Sequence, residues 1–185
     1  VRGSVLDFAA PPPSSSSSQP PRIGAIVNAA NEGGLGGGGV DGAINTAGGA
    51  ALWQDRNALP ILERKHHRSG SAIRCRTIRC RTGEAVVTGP APNQSNYGAL
   101  QVPYVIHAVG PAYFDYDTDG PADFAVPDLF LRSAYQQSLE RCGMSNITDV
   151  GFALLSAGVF RGDRTLEEIL NISVTAIRDW VRHGI

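Results

Sequence analysis

Asn31 and Asp41 stand ten residues apart, and six glycines fall between them within seven residues, from Gly33 to Gly39. Glycines reach positive φ and let backbone N–H groups crowd a ligand. Beside a helix N-terminus such a loop is a ready anion site. Asp41 suits that place as a helix N-cap or as a carboxylate facing whatever the loop holds. Asn28 and Asn31 are equally readable as turn-formers. Gly34 to Gly39 matches the dinucleotide pattern G-x-G-x-x-G, although a run this rich in glycine matches almost automatically. That reading also needs a second strand ending in an acidic residue, and Asp55 falls inside or just after a helical stretch. No Gly-Lys-Ser/Thr follows, so a P-loop is excluded. A second small-residue loop, Ser156-Ala157-Gly158-Val159-Phe160-Arg161-Gly162, also lies between a strand and a helix. Two such loops can enclose a diphosphate with backbone amides and no Lys or Arg.

The elements that must position these loops follow from apolar patterning. Residues 23–28 form a run without alternation, which reads as a strand covered on both faces of a parallel sheet. Residues 84–88, 103–109 and 150–155 read as further strands, and 4–8 as a short one. A helix begins at Asp41 with Ile44, Ala47 and Ala51 on one face. A second runs from Asp128 to Cys142 with Leu131, Ala134, Tyr135, Leu139 and Cys142 on one stripe. A third follows the capping-box pattern Thr165-Leu166-Glu167-Glu168, with Leu166, Ile169, Leu170, Val174, Ile177 and Val181 on one face. This alternation predicts an α/β fold in layers around a mixed, mostly parallel sheet. Ligands in such sheets bind beyond the carboxyl ends of strands, which directs attention to the loops after Val27 and Leu155.

The 185 residues are read as one domain able to bury a core. A net charge of −1 gives no global attraction for nucleic acid or an anionic membrane, and neither is expected as a partner. Apolar runs are too short to cross a bilayer. Three cysteines, an odd count, suit free thiols in a reducing cytoplasm or nucleus. Cys75 and Cys80 with His66 and His67 lack the usual two-residue metal-knuckle spacing, so no metal is expected. Residues 10–21 are a low-complexity Pro/Ser loop. Residues 56–82 read as a variable basic insertion and contain a tandem pentapeptide, IRCRT at 73–77 and 78–82. A duplication in a surface loop is favoured over a polyanion-binding patch, because no interleaved aromatics supply stacking platforms.

In order, "IVNAAN", "GGGGVDGAI", "TGEAVVTG", "YVIHAVGP" and "SAGVFRG" resemble the macrodomain family, and within it the MacroD-type ADP-ribosyl-acceptor hydrolases, over about residues 23–183. The resemblance implies a three-layer α/β/α fold with an ADP-ribose cleft across the strand ends. It implies a hydrolase that removes mono-ADP-ribose from acidic side chains and deacetylates O-acetyl-ADP-ribose, without a cofactor. Asn31 would hydrogen-bond the distal ribose, and Gly36, Gly37, Gly38 and Gly39, with Val40, would wrap ribose and diphosphate. Asp41 would orient or activate water together with the ligand's phosphate. Ser156, Ala157, Gly158 and Val159 would offer amides to the phosphates, and Phe160 would pack on the ribose. Asn28, Ile26 and Val27 would belong to the pocket, and Ser4 and Val5 to the adenine end.

Three departures bear on that reading. Gly3-Ser4-Val5 stands where the family usually has Gly-Asp-Ile, Asn45 where a His is common, and Arg161 beside the phosphate loop, where it either pairs with phosphate or faces solvent. They favour, as the alternative, a module that binds ADP-ribose without turnover. The chain starts at Val1 without Met and stops at Ile185 before a usual last strand, so truncation at both ends is the expectation. Mono-ADP-ribosylated proteins are the expected partners and a monomer the expected state.

Overall fold

The computed structural model describes residues 4–9, 22–69, 72–94, 96–116 and 124–184. The Pro/Ser segment 10–21 and Gly3 lie outside them. Four strands, β1 (Gly24–Ala29), β4 (Ala85–Thr88), β5 (Tyr104–Ala108) and β6 (Asp149–Phe152), form one sheet in the order β4-β5-β1-β6. β1 runs parallel to both neighbours, with Val27 opposite Ile106 and Phe152, while β4 is antiparallel to β5. The sheet is therefore mixed and mostly parallel. The apolar run at 23–28 has the cause expected of it, because both faces of β1 are covered. Ala25 and Val27 pack on one side with Leu131, Ala134, Tyr135, Ile169 and Ala176 of α2 (Ala125–Met144) and α3 (Leu166–His183). Ile26 packs on the other with Ile44 and Leu52 of α1 (Gly39–Ala58) and with Tyr97 and Leu100. The result is a three-layer α/β/α arrangement.

Three elements differ from their sequence reading. Residues 4–8 are not a strand. Val5–Asp7 form one 3-10 turn, and Ser4 Oγ accepts from Leu6 N–H as its N-cap. α3 has its capping box, Thr165 with Glu168, but its apolar stripe is rotated. Ile169, Ser173 and Ala176 are buried, whereas Leu166, Leu170, Val174 and Val181 are exposed. Small side chains at 173 and 176 face the core in place of the larger ones. Residues 63–78 are not a loop but an antiparallel hairpin, β2 (Glu63–Ser69) with β3 (Ala72–Ile78), apart from the main sheet. The two IRCRT copies meet different fates. In the first, Cys75 and Arg76 are exposed on β3; in the second, Ile78, Arg79 and Cys80 are buried.

Candidate functional site

Beyond the carboxyl ends of β1 and β6, two loops face each other across a cleft of about 270 Å³. Ala29, Ala30, Asn31 and Gly37 to Asp41 form one wall; Leu154 and Ser156 to Phe160 form the other. Among the described residues no Lys or Arg lines it. Its donors are backbone amides, and their geometry is that of glycine. Gly39 has φ of 60°. Gly38 is the N-cap of α1 and gives no side-chain cap, so the first-turn N–H groups remain available to an anion. In the facing loop Ser156 holds φ 53°, and its Oγ donates to Pro111 O at 2.7 Å, fixing the backbone there. Phe160 packs edge-on against Phe114 with centroids 6.1 Å apart.

Asp41 is not the cap of α1. It occupies the third helical position, and its side chain turns inward and is buried. Oδ1 accepts from Asn28 Nδ2 at 2.7 Å and lies 2.9 Å from Arg56 Nη2, close enough for an ion pair though off hydrogen-bond alignment. Oδ2 has no hydrogen-bond partner among the described residues. A Cβ on Gly37 would sit 3.1 Å from that oxygen and 3.0 Å from Asn31 Nδ2, so both groups converge on the open side of Gly37. Asn31 itself shapes the loop. Its Oδ1 accepts from Gly33 and Gly34 N–H at 3.0 and 3.2 Å, and its Nδ2 donates to Gly36 O at 2.9 Å.

Behind Asp41 runs a buried relay. Asn28 is fully buried beneath the cleft, and its amide also donates to His107 Nδ1 at 3.1 Å. Burial, and secondarily the charge of Arg56, hold the His107 pKa well below its ordinary value, so the ring is neutral. With Nδ1 accepting, the proton sits on Nε2, which donates to Thr88 Oγ1 at 3.0 Å, and Thr88 in turn donates to Val105 O. The relay fixes the Asn28 amide so that an N–H, not a carbonyl oxygen, meets the carboxylate.

Arg56 and His107 were missed as site residues. In a straight α1 Arg56 would lie about 22 Å along the axis from Asp41. Gly49, at φ 65° and ψ −159°, breaks the helix and returns Arg56 to the site. There its Nε donates to Gly34 O at 2.6 Å and its Nη1 to Asn45 Oδ1 at 3.5 Å, tying the glycine loop to the carboxylate. The Gly48-Gly49 pair was the available signal. Of the remaining candidates, Gly36 faces a separate groove. Ser4 and Val5 do not line the cleft, and Val5 packs on the α1-side core. Ile26 and Val27 are core residues of β1. Arg161 does not line the cleft, and its guanidinium donates to Arg164 O. Among the described residues no group of three or more His, Cys, Asp or Glu could hold a metal, and no helix is long and apolar enough to cross a membrane.

A parallel-sheet domain with an amide-walled cleft at its strand ends and one buried carboxylate beside a glycine loop defines an α/β anion-ligand binding class. The comparisons narrow the class. The model of the macro domain matches residues 27–166, more than half of the chain. A macro domain-containing protein in the gbd 3′ region of Cupriavidus necator is 36% identical over 162 residues, covering 85% of this chain and 73% of the relative. A Pantoea vagans protein named O-acetyl-ADP-ribose deacetylase 1 is 38% identical over 136 residues, covering 74% and 63%. Among solved structures, an Oceanobacillus iheyensis macrodomain variant with ADPR is 25% identical with a TM-score of 0.61, covering 87% of this chain and 72% of that one. A Trypanosoma brucei macrodomain in complex with ADP is 28% identical at 0.58, covering 86% and 52%. The chain belongs to the macro domain family.

Proposed function

We propose that the cleft binds ADP-ribose and that the protein hydrolyses esters at its distal ribose, releasing mono-ADP-ribose from Asp or Glu side chains and acetate from O-acetyl-ADP-ribose. One observation carries the reading: Asp41 Oδ2, buried and unpartnered, converges with Asn31 on the open side of Gly37. A relative named for O-acetyl-ADP-ribose deacetylation and a structural neighbour solved with ADPR support the ligand class. The diphosphate would lie on the amides of the α1 N-terminus and of residues 156–160. The distal ribose would lie between Asn31 and Phe160. Water adds to the ester, the ester C–O bond breaks, and the products are the ribose hydroxyl and the acceptor carboxylic acid. Asp41 takes the proton of the attacking water and returns it to the leaving ribose oxygen, so the carboxylate is regenerated. Its other oxygen is held by Asn28 and Arg56, so only Oδ2 faces that water.

The test is release of ADP-ribose from a glutamate-modified protein by wild type and by Asp41→Asn, with ADP-ribose affinity measured calorimetrically on both. Loss of about 10²–10⁴ in rate with binding retained is the expected result. An unchanged rate overturns the assignment of Asp41. Tight binding with no turnover even in wild type points instead to a reader module, the reading that Ser4 and Asn45 favour.

A further inference from the structure

A second concavity lies on the outer side of the glycine loop, and the ADP-ribose reading does not use it. Its volume is about 510 Å³, and Asn31, Gly33, Leu35 and Gly36 of the loop, Arg76 and Thr77 of β3 and Arg79 just beyond it line it. Asn31 alone belongs to both this groove and the cleft. The glycine loop is therefore the partition between them, and Asn31 stands at the point where they meet.

The groove is basic. Arg79 is only 7% exposed; its Nη1 donates to Gly33 O at 3.1 Å, its Nε is buried without a hydrogen-bond partner, and no carboxylate pairs with it among the described residues. A buried cation without a counter-charge is costly unless an anion approaches it. Arg76 is largely exposed and is directly opposite Lys65 in the hairpin register, so two like charges share one face. Glu32, beside the groove and not in its lining, already pairs with one of its cations. Its Oε2 lies 3.1 Å from Arg76 Nη2, while its Oε1 is held by the N–H and hydroxyl of Thr82 at 3.2 and 3.1 Å. A side-chain carboxylate of this protein thus already engages Arg76 at the edge of the groove. Its single charge leaves Arg76 and Arg79 of the lining with an excess of one positive charge, while on the adjoining hairpin face Lys65 is accompanied by Glu63 two residues away.

We propose that this groove docks the protein portion of an ADP-ribosylated substrate through acidic side chains flanking the modified residue. The inference rests on the reading of the cleft as an ADP-ribose site. If the ester is held between Asn31 and Asp41, whatever is attached beyond it leaves the cleft at Asn31 and meets Arg76 and Arg79 next. The attached chain carries its modification on an Asp or Glu, and neighbouring acidic residues complement the groove. Nucleic acid fits less well. The lining offers no aromatic platform for a base, and the chain as a whole has a net charge of −1. The hairpin, which the sequence offered only as a basic insertion, becomes a determinant of which modified proteins are processed.

The experiment compares two peptides mono-ADP-ribosylated on a single Glu, one flanked by Asp and Glu and one by Gly and Ser, with free ADP-ribose as the reference. Affinity is measured calorimetrically and ester hydrolysis followed in parallel, for wild type and for Lys65→Gln/Arg76→Gln. These exposed hairpin positions lie outside the cleft, so folding and free ADP-ribose affinity are expected to be retained. Wild type should prefer the acidic peptide, with a preference that falls at high salt. The double variant should lose roughly three- to tenfold in affinity and kcat/KM for the acidic peptide, and less than twofold in affinity for free ADP-ribose. Equal affinity for the two peptides in wild type, or an equal loss on free ADP-ribose, overturns the docking site. Competition by a short oligonucleotide but not by an unmodified acidic peptide overturns the choice of occupant. A protein that binds the peptides with this preference yet hydrolyses neither leaves the groove intact and refutes the esterase reading. One that binds no ADP-ribose in any form refutes both.

Discussion

At the scale of single residues, the site turns on one buried charge pair. Asp41 and Arg56 have side chains 4% and 0% exposed, and neither ion is repaid by solvent. Their mutual attraction, the Asn28 N–H on Asp41 and the Gly34 carbonyl on Arg56 offset the desolvation. Such a pair adds little over a well-packed apolar pair, but losing one member strands the other. Arg56→Gln is therefore expected to destabilise the fold by about 3–5 kcal/mol, read as a lower urea midpoint at unchanged slope. Adding Asp41→Asn to it should recover much of that loss, because no buried charge then remains uncompensated. If Arg56→Gln costs no more than a typical surface change, Asp41 is solvated and its positioning is not due to Arg56. Arg56→Lys separates charge from geometry. It keeps the cation, but no planar fork remains to reach Asp41, Gly34 and Asn45 together.

At the scale of elements, the bend in α1 places Arg56, and Gly49 makes the bend. Its φ of 65° with ψ of −159° lies in a region that essentially only glycine enters, yet a Cβ there would meet nothing within 4 Å. Gly49→Ala therefore tests backbone strain without a steric clash. It should cost about 1–3 kcal/mol in chemical denaturation and lower ester hydrolysis as well, since straightening α1 withdraws Arg56. A variant that is destabilised but fully active would separate the bend from the site. The same element marks the limit of what was legible. The mostly apolar runs at 23–28, 84–88 and 103–109 announced β1, β4 and β5, because strands packed against the core are largely apolar. The capping box announced α3. The bend went unread because Gly48-Gly49 in a helical pattern signals only weak propensity. The hairpin went unread because Glu63-Arg64-Lys65-His66 has no alternation: β2 has no buried face there to select one. The rotation of α3 was equally invisible, since its buried stripe uses Ser173 and Ala176 where the hydrophobic pattern prefers Leu and Val.

At the scale of the whole molecule, the cleft is supported from across the sheet. Asp41 on α1 leans on Asn28 of β1, which leans on His107 of β5, which leans on Thr88 of β4, so one hydrogen-bonded line crosses three strands. Asn31 and Asp41 could be singled out from sequence because the glycines between them advertised a loop. His107 could not, because its role depends on a register that pairs it with Asn28. This line makes stability depend on acid in a definite direction. His107 is held neutral by burial and then by Arg56, with its pKa well below the ordinary 6.5. In the unfolded chain it takes up a proton as pH falls through about 6.5, while in the folded chain it does not. Stability rises with pH wherever the unfolded state binds more protons. The His107 contribution is therefore fully present above 6.5 and declines as the solution is acidified. The decline approaches 1.4 kcal/mol per pH unit, about the maximum for one proton, until the folded pKa is reached. Below that, His107 would carry a proton on Nδ1, facing the Asn28 amide, and the support of Asp41 would break. Urea unfolding of wild type and His107→Gln from pH 7.5 to 5 checks this. Wild type should show the steeper loss of stability below 6.5, and the difference in slope between the two should approach one proton. Parallel curves would mean that His107 titrates alike folded and unfolded, and that the line from Thr88 to Asp41 does not depend on its neutrality.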